Sequence, residues 1–187
     1  MPNWCNNNIS ISGPSETIRQ LWEDAIAEGS GLLNAIAPMP KELEGTTAPS
    51  QMSEEEQVAL IEKYGAADWY QWCVNNWGTK WDVSLEGLEI TDNGDGTASI
   101  DGWFDSAWAP PISAYNTFCD DMDNCSLTAS YHEPGMDFGG FYDNGDDEYI
   151  DDLQSQSKLP EDEQSDLYKR IDEEYGLTEQ YEMWEEM

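Results

Sequence analysis

Asn6-Asn7-Asn8-Ile9-Ser10-Ile11-Ser12 is the stretch on which the fold turns. Its alternation places Ile9 and Ile11 on one side and the serines on the other, the period of a half-buried strand. Gly13-Pro14 ends the run. Ser15 then suits a helix N-cap. Ile18, Leu21, Trp22, Ala25 and Ile26 follow the i, i+3, i+4, i+7, i+8 spacing of a helix with one buried stripe. Gly29 can stop that helix in a left-handed turn.

A second strand–helix–strand unit lies further along. Val83, Leu85 and Ile90 predict a strand with an irregularity at Gly87. Asp92-Asn93-Gly94-Asp95-Gly96 is a turn, and Thr97–Phe104 returns as a strand. Pro110-Pro111 opens a helix whose stripe is Ile112, Tyr115, Cys119 and Met122. Leu127, Ala129 and Tyr131 alternate as a last core strand. Between the two units, residues 30–52 are irregular. Ser53 and Glu56 form a capping box for a helix through Tyr64. Trp69, Trp72 and Cys73 stripe the next helix, which Asn76-Trp77-Gly78 breaks. Two such units sharing one sheet define an α+β fold, the ferredoxin-like split βαβ sandwich, with both helices on one sheet face. We expect this domain over residues 1–142, with a helical insertion at about 30–66.

From Asp143 the composition shifts. The last 45 residues hold 17 acids and three bases, Lys158, Lys169 and Arg170. Leu167, Ile171 and Tyr175 lie at helical spacing, as do Leu177, Tyr181 and Trp184. We therefore expect an acidic, partly helical C-terminal extension over 143–187, with two amphipathic helices divided near Gly176.

The whole chain carries 40 acidic side chains against seven basic ones, a formal net charge of −33 over 187 residues. Nucleic-acid binding needs a basic face that displaces counterions, so direct contact with DNA or RNA is excluded. A basic partner is expected instead. A 21.1 kDa monomer exposes roughly 9,000 Å². Evenly spread, the charge amounts to about one per 270 Å², against roughly one per 110 Å² on a DNA cylinder. Charges gathered on one face would match DNA. Along a helical Glu161–Met187 segment, the net charges recur about every 4.5 Å, near the 3.4 Å phosphate spacing of one DNA strand.

Other function classes find little support in the residues. His132 is the only histidine, so no histidine metal cluster forms within one chain, and no nucleophile elbow accompanies it. The runs at 92–96 and 143–147 miss the EF-hand spacing, because glycines occupy ligand positions. There is no P-loop and no dinucleotide fingerprint. We expect no catalytic set, no metal site and no cofactor. Cys5, Cys73, Cys119 and Cys125 are scattered without a Cys-x-x-Cys pair and are expected as free thiols. No apolar run reaches membrane-spanning length. The opening Met-Pro-Asn-Trp-Cys has neither a basic nor an apolar signal region. A soluble protein in the cytoplasm of a bacterial host is expected. The cluster Trp69, Trp72, Trp77 and Trp81, with Trp103 and Trp108, is assigned to core packing.

Four segments carry a family resemblance. They are Met1-Pro-Asn-Trp-Cys-Asn6, Asn76-Trp-Gly-Thr-Lys-Trp-Asp82, Phe104-Asp-Ser-Ala-Trp-Ala-Pro-Pro111 and Glu133-Pro-Gly-Met-Asp-Phe-Gly-Gly140. As a set they resemble the YubB-type ferredoxin-like proteins of conjugative plasmids and bacteriophages, over roughly residues 1–142. The resemblance implies a ferredoxin-like fold and a mobile-element origin; it implies no catalytic residues. Within these segments Lys80 is expected to pair with Asp82 or Asp105.

The expected function is thus a non-catalytic acidic protein that inhibits a host defence factor, or another nucleic-acid-binding protein, by DNA mimicry on its basic surface. The expected contacts are Asp146, Asp147, Asp151, Asp152, Glu173, Glu174, Glu182 and Glu185, with Trp184 as an apolar anchor. The alternatives are a small-ligand binder or enzyme using loop ends around Trp81, Asp105 and Glu133, or a structural phage accessory protein.

Overall fold

The computed structural model describes residues 3–185. The alternating stretch becomes the long central strand β1 (Trp4–Pro14). Helix α1 (Ser15–Ile26) follows at once. Ser15 is its first residue rather than its cap: Pro14, with the extended ψ of 133° that ends β1, takes the cap position, and the Ser15 N–H goes to the Gly96 carbonyl, 2.9 Å away. The insertion holds two short helices, α2 (Leu32–Ile36) and α3 (Lys41–Glu44), then α4 (Glu54–Tyr64) and α5 (Trp69–Asn76). The capping box of Ser53 and Glu56 forms at the start of α4, and Gly65 closes its end in the left-handed region at φ 74°.

Strand β2 (Leu88–Asp92) is shorter than expected: Val83 and Leu85 belong to the loop before it. Strand β3 (Thr97–Ala107), helix α6 (Ile112–Asp121) and strand β4 (Ser126–Glu133) complete the second unit. The hydrogen-bonded order β2-β3-β1-β4, antiparallel throughout, is the ferredoxin-like arrangement. Ile9, Ile11, Ile100, Phe104, Leu127 and Ala129 point to one face, where they meet Ile18 and Leu21 of α1 and Tyr115 and Phe118 of α6. Each large apolar side chain in this layer contributes about 1.5–3 kcal/mol by leaving water.

The sheet does not stop at β4. Strands β5 (Phe138–Asp143) and β6 (Asp146–Asp151) extend it to six strands in the order β2-β3-β1-β4-β5-β6. Asn144-Gly145 makes the connecting turn, with φ 49° and 103°, the left-handed pair that a two-residue hairpin requires. The boundary expected at residue 142 therefore falls inside a hairpin, and the acidic extension begins within the sheet. Asp146, Asp147, Glu148 and Asp151 load the outermost strand with charge, a device that blocks edge-to-edge pairing.

The remaining chain forms α7 (Leu153–Ser157), α8 (Asp166–Tyr175) and α9 (Leu177–Glu185), with Gly176 at φ 64° between the last two. Leu153, Tyr168, Ile171, Leu177 and Tyr181 make a second core, packed against Phe141 and Ile150. This layer covers the sheet face opposite α1 and α6. Asn8 and Ser130, neighbours on β1 and β4, both donate to the Glu174 carboxylate of α8, at 2.8 and 2.5 Å. The molecule is thus a three-layer sandwich over the β4–β6 half of the sheet and a two-layer one over the β2–β3 half.

Gly140 marks how tightly the strands β4, β5 and β6 fit together. A Cβ there would collide with the Glu148 carbonyl and the Tyr131 ring. Gly140→Ala is expected to cost about 1–3 kcal/mol, read as a lower midpoint in urea unfolding with an unchanged slope.

Candidate functional site

The half of the outer face that α8 leaves bare is built by the alternation of β3. Ala98, Ile100 and Phe104 point into the core. Ser99, Asp101, Trp103 and Asp105 point the other way, because successive side chains of a strand change sides. Trp103 is 59% exposed. The reading of the tryptophan cluster as core is corrected in part: Trp72 and Trp77 are buried and Trp69 is half-buried, but Trp81, Trp103 and Trp108 reach the surface.

Two glycines set the floor of this region. The Trp103 N–H donates to the Gly87 carbonyl at 3.0 Å, and Gly87 lies directly beneath the Trp103 ring. Gly102, at φ 142°, faces the Gly87 backbone so closely that no side chain fits between them. The result is a groove of about 540 Å³, lined by Trp4, Ser84, Glu86, Trp103, Phe104 and Asp105, with Asp82 and Gly87 completing it. Trp4 packs against Trp81 with ring centroids 6.2 Å apart.

The carboxylates here differ in how they are held. Asp82 accepts the N–H groups of Leu33, Asn34 and Val83 at 2.9, 2.8 and 2.8 Å, tying the insertion to the sheet end. Burial nevertheless pushes its carboxyl above the ordinary value, against the pull of those three bonds. Asp105 accepts from the Asn6 amide at 2.6 Å, and Asp101 from Ser10 and Ser99 at 2.6 and 2.5 Å. Lys80 does not pair with Asp82 or Asp105 as expected. Its ammonium lies over three rings instead, 4.3 Å from the centroid of Trp81, 5.2 Å from Trp108 and 5.8 Å from Tyr70. Asp82 is already satisfied by backbone donors, and the aromatic faces attract the cation.

The loop-end trio Trp81, Asp105 and Glu133 does not converge. Trp81 and Asp105 belong to the groove region, whereas Glu133 is fully buried on the other side of the sheet. Both its oxygens are used, one on the Gly135 N–H and one on the Met136 N–H, each at 2.7 Å. Glu133 is a turn-holding residue.

The expected contact residues fall into three groups. Asp146, Asp151 and Asp152 are exposed on and just after β6. Asp147 is anchored by the Tyr131 hydroxyl at 2.7 Å, with burial raising its carboxyl. Strand alternation sends Asp147 and Asp151 to the α6 side and Asp146 to the α8 side. Glu173 and Glu182 are exposed on α8 and α9, but Glu174 is committed to Asn8 and Ser130. Trp184 is 51% exposed and packs edge-on against Tyr181. The side chain of Glu185 lies outside the described residues. These positions surround the C-terminal layer rather than form one patch.

Of the four free cysteines, Cys5 and Cys73 are buried. Burial pushes the Cys73 thiol up to about 12 and Cys5 higher still, so neither is a ready nucleophile.

Residues 77–182 match the family model described as the ferredoxin-like domain in Api92-like protein. The match spans more than half of the chain and runs across residue 142; the protein belongs to this family of ferredoxin-like, Api92-like proteins. Among solved structures, the crystal structure of protein api92 from Yersinia pseudotuberculosis is similar over 81% of this chain and 98% of that one, with 12% identity and a TM-score of 0.39. No curated protein matches. Among the described residues, no helix is long and apolar enough to cross a membrane.

His132 carries a pH dependence. Its ring is buried beneath Tyr175, with centroids 5.6 Å apart, and its Nε2 has no hydrogen-bond partner. Burial lowers its pKa below the ordinary 6.5, outweighing the charges of Asp137 and Glu133, which favour the protonated ring. The unfolded chain takes up this proton first, so the stability His132 allows is fully present above about 6.5 and is lost as the pH falls through the lower folded value. Denaturation midpoints at pH 7.5 and 5.5 should show the native protein losing stability relative to His132→Gln as the solution is acidified. Equal changes in the two proteins would show that the ring's titration does not matter to folding.

Proposed function

We propose that the protein is a non-catalytic acidic binding protein of a plasmid or bacteriophage. It occupies the basic surface of a host nucleic-acid-binding protein, with a defence factor as the foremost kind of target. The resemblance to YubB-type proteins supports the mobile-element origin. The observation that carries the reading is the unneutralised charge. Forty acids face seven bases, and the ion pairs of Arg19 with Asp92, Lys63 with Glu42 and Arg170 with Glu148 occupy three of those bases at the surface.

Exposed carboxylates stand on α1 (Glu16, Glu23, Asp24), on α4 (Glu54, Glu55, Glu56), on β6 and on α8 (Glu173). Because α1 and α8 lie on opposite sides of the sheet, the negative field surrounds the molecule. Over 10606 Å² of surface, 33 net charges average about one per 320 Å², roughly threefold sparser than a DNA cylinder. Competition with nucleic acid therefore rests on the sign and reach of the field, with carboxylates standing in for phosphates, rather than on a copied helical array. Such complementarity raises association rates and makes them sensitive to salt.

A second reading, a small-ligand site at the Trp81 and Asp105 loop ends, draws on the groove alone and does without Glu133.

The first reading is tested with immobilised protein and the heparin-binding fraction of a bacterial lysate. DNA-binding proteins should be retained at 0.1 M salt, be released by 0.5 M salt, and be displaced by added duplex DNA. Retained proteins that duplex DNA fails to displace would count against occupation of a nucleic-acid surface.

A further inference from the structure

The groove beside Trp103 is a different feature from the diffuse negative field. It combines an exposed indole with carboxylates on the same sheet face. Trp103 stands between Asp101 and Asp105 along β3, so all three project together. Glu86 lines the same groove and is exposed. Trp4, 45% exposed, supplies a second ring. The ion pairs of Arg19, Lys63 and Arg170 engage Asp92, Glu42 and Glu148, none of which lines the groove.

The molecule shows elsewhere what such rings attract. Lys80 places its ammonium over Trp81, which itself packs against Trp4. The Arg170 guanidinium lies 4.2 Å from the ring centroid of Phe141 while pairing with Glu148 at 3.0 Å. That second arrangement, a guanidinium over an aromatic ring and bonded to a carboxylate, is the geometry the groove offers to an incoming side chain. A guanidinium fits better than an ammonium, because it is planar, weakly hydrated and bonds a carboxylate with two N–H groups at once.

We propose that the groove is the docking site for an arginine side chain of a basic protein partner, stacked on Trp103 and paired with Asp105 and Glu86. This rests on the basic-partner reading and names the contact through which it works. Asp105 is the fixed acceptor, oriented by the Asn6 amide at 2.6 Å. Glu86 is the exposed one, on the opposite wall of the groove from β3. Trp103 is held over Gly87, where any larger residue would push the ring away. A single-stranded nucleic acid could also stack on exposed indoles, but Asp101, Asp105 and Glu86 repel its phosphates.

Octa-arginine is the probe, titrated by calorimetry at 0.1 M salt into the full-length protein and three variants. Trp103→Leu and Asp105→Asn should each weaken binding about fivefold, the scale of one lost ring–cation or charged contact. Asp123→Asn, exposed in the turn between α6 and β4 at the opposite end of the sheet, should change it less than twofold. Octa-lysine should bind the native protein more weakly than octa-arginine. Nitrogen-resolved NMR on the native protein gives a second readout that needs no variant to fold: the indole N–H signals of Trp103 and Trp4 should move with octa-arginine, and that of Trp184 should stay. If Trp103→Leu binds octa-arginine like the native protein and the indole shifts lie elsewhere, the groove assignment is overturned and the basic-partner reading stands. If the native protein binds neither peptide, both fall. Trp103-dependent binding of an eight-nucleotide oligothymidylate would also overturn the assignment, by showing a nucleic-acid platform.

Discussion

A chain with 40 carboxylates and seven cations cannot satisfy its inward-facing acids with salt bridges, and the structure is organised around the substitute. Neutral donors do the holding. Asp82 takes three backbone N–H groups and Glu133 takes two. Asp101 takes two serine hydroxyls, Glu174 an amide and a hydroxyl, and Asp147 the Tyr131 hydroxyl. Asp137 accepts from the Gln154 N–H and the Tyr181 hydroxyl, which fastens α7 and α9 to the β4–β5 turn. Hydrogen bonds to a charged acceptor are stronger than neutral ones, so each such knot both solvates a carboxylate and fixes an element. The ion pairs of Arg19, Lys63 and Arg170 sit at the surface, where such pairs add little.

This arrangement explains why the outer sheet face is divided. Over β4 and β5 it offers Ser130, Phe141 and Gly139, a surface flat enough for α8 to approach and deliver Glu174. Over β3 it offers Asp101, Trp103 and Asp105, a row that an acidic helix cannot cover without bringing like charges together. The extension therefore closes one half and leaves the other open, and the open half is where aromatic rings and carboxylates share a groove.

The ferredoxin-like order was legible because β1, β3, β4 and the two covering helices keep an apolar period, from Ile9 and Ile11 to Leu127 and Ala129, whereas the short β2 was read from Val83 and Leu85, which lie in the loop before it. The two tail helices were legible for the same reason. Strands β5 and β6 were not recognised, although Asn144-Gly145 is a strong hairpin signal, because Gly139-Gly140 and the surrounding acids look like a loop. Trp103 shows a readable feature read wrongly. Its neighbours two residues away are Asp101 and Asp105, so strand alternation already pointed it outward. Other features had no local signal. Nothing near Asp82 announces that it will hold the N–H groups of Leu33 and Asn34, and nothing in α8 announces that Glu174 will find Asn8 at the far end of the chain. Such pairings depend on which surfaces meet after the sheet has formed.

The use of uncharged donors has a consequence for behaviour in brine. Dissolved ions screen the mutual repulsion of the outer carboxylates, while the half-buried knot at Asp82 and the buried one at Glu133, not built on cations, keep their strength. Ionic strength thus pulls two properties in opposite directions: the fold firms up as its long-range attraction for a cationic surface fades. Under the function proposed above, salt would release a basic partner without unfolding the protein that held it.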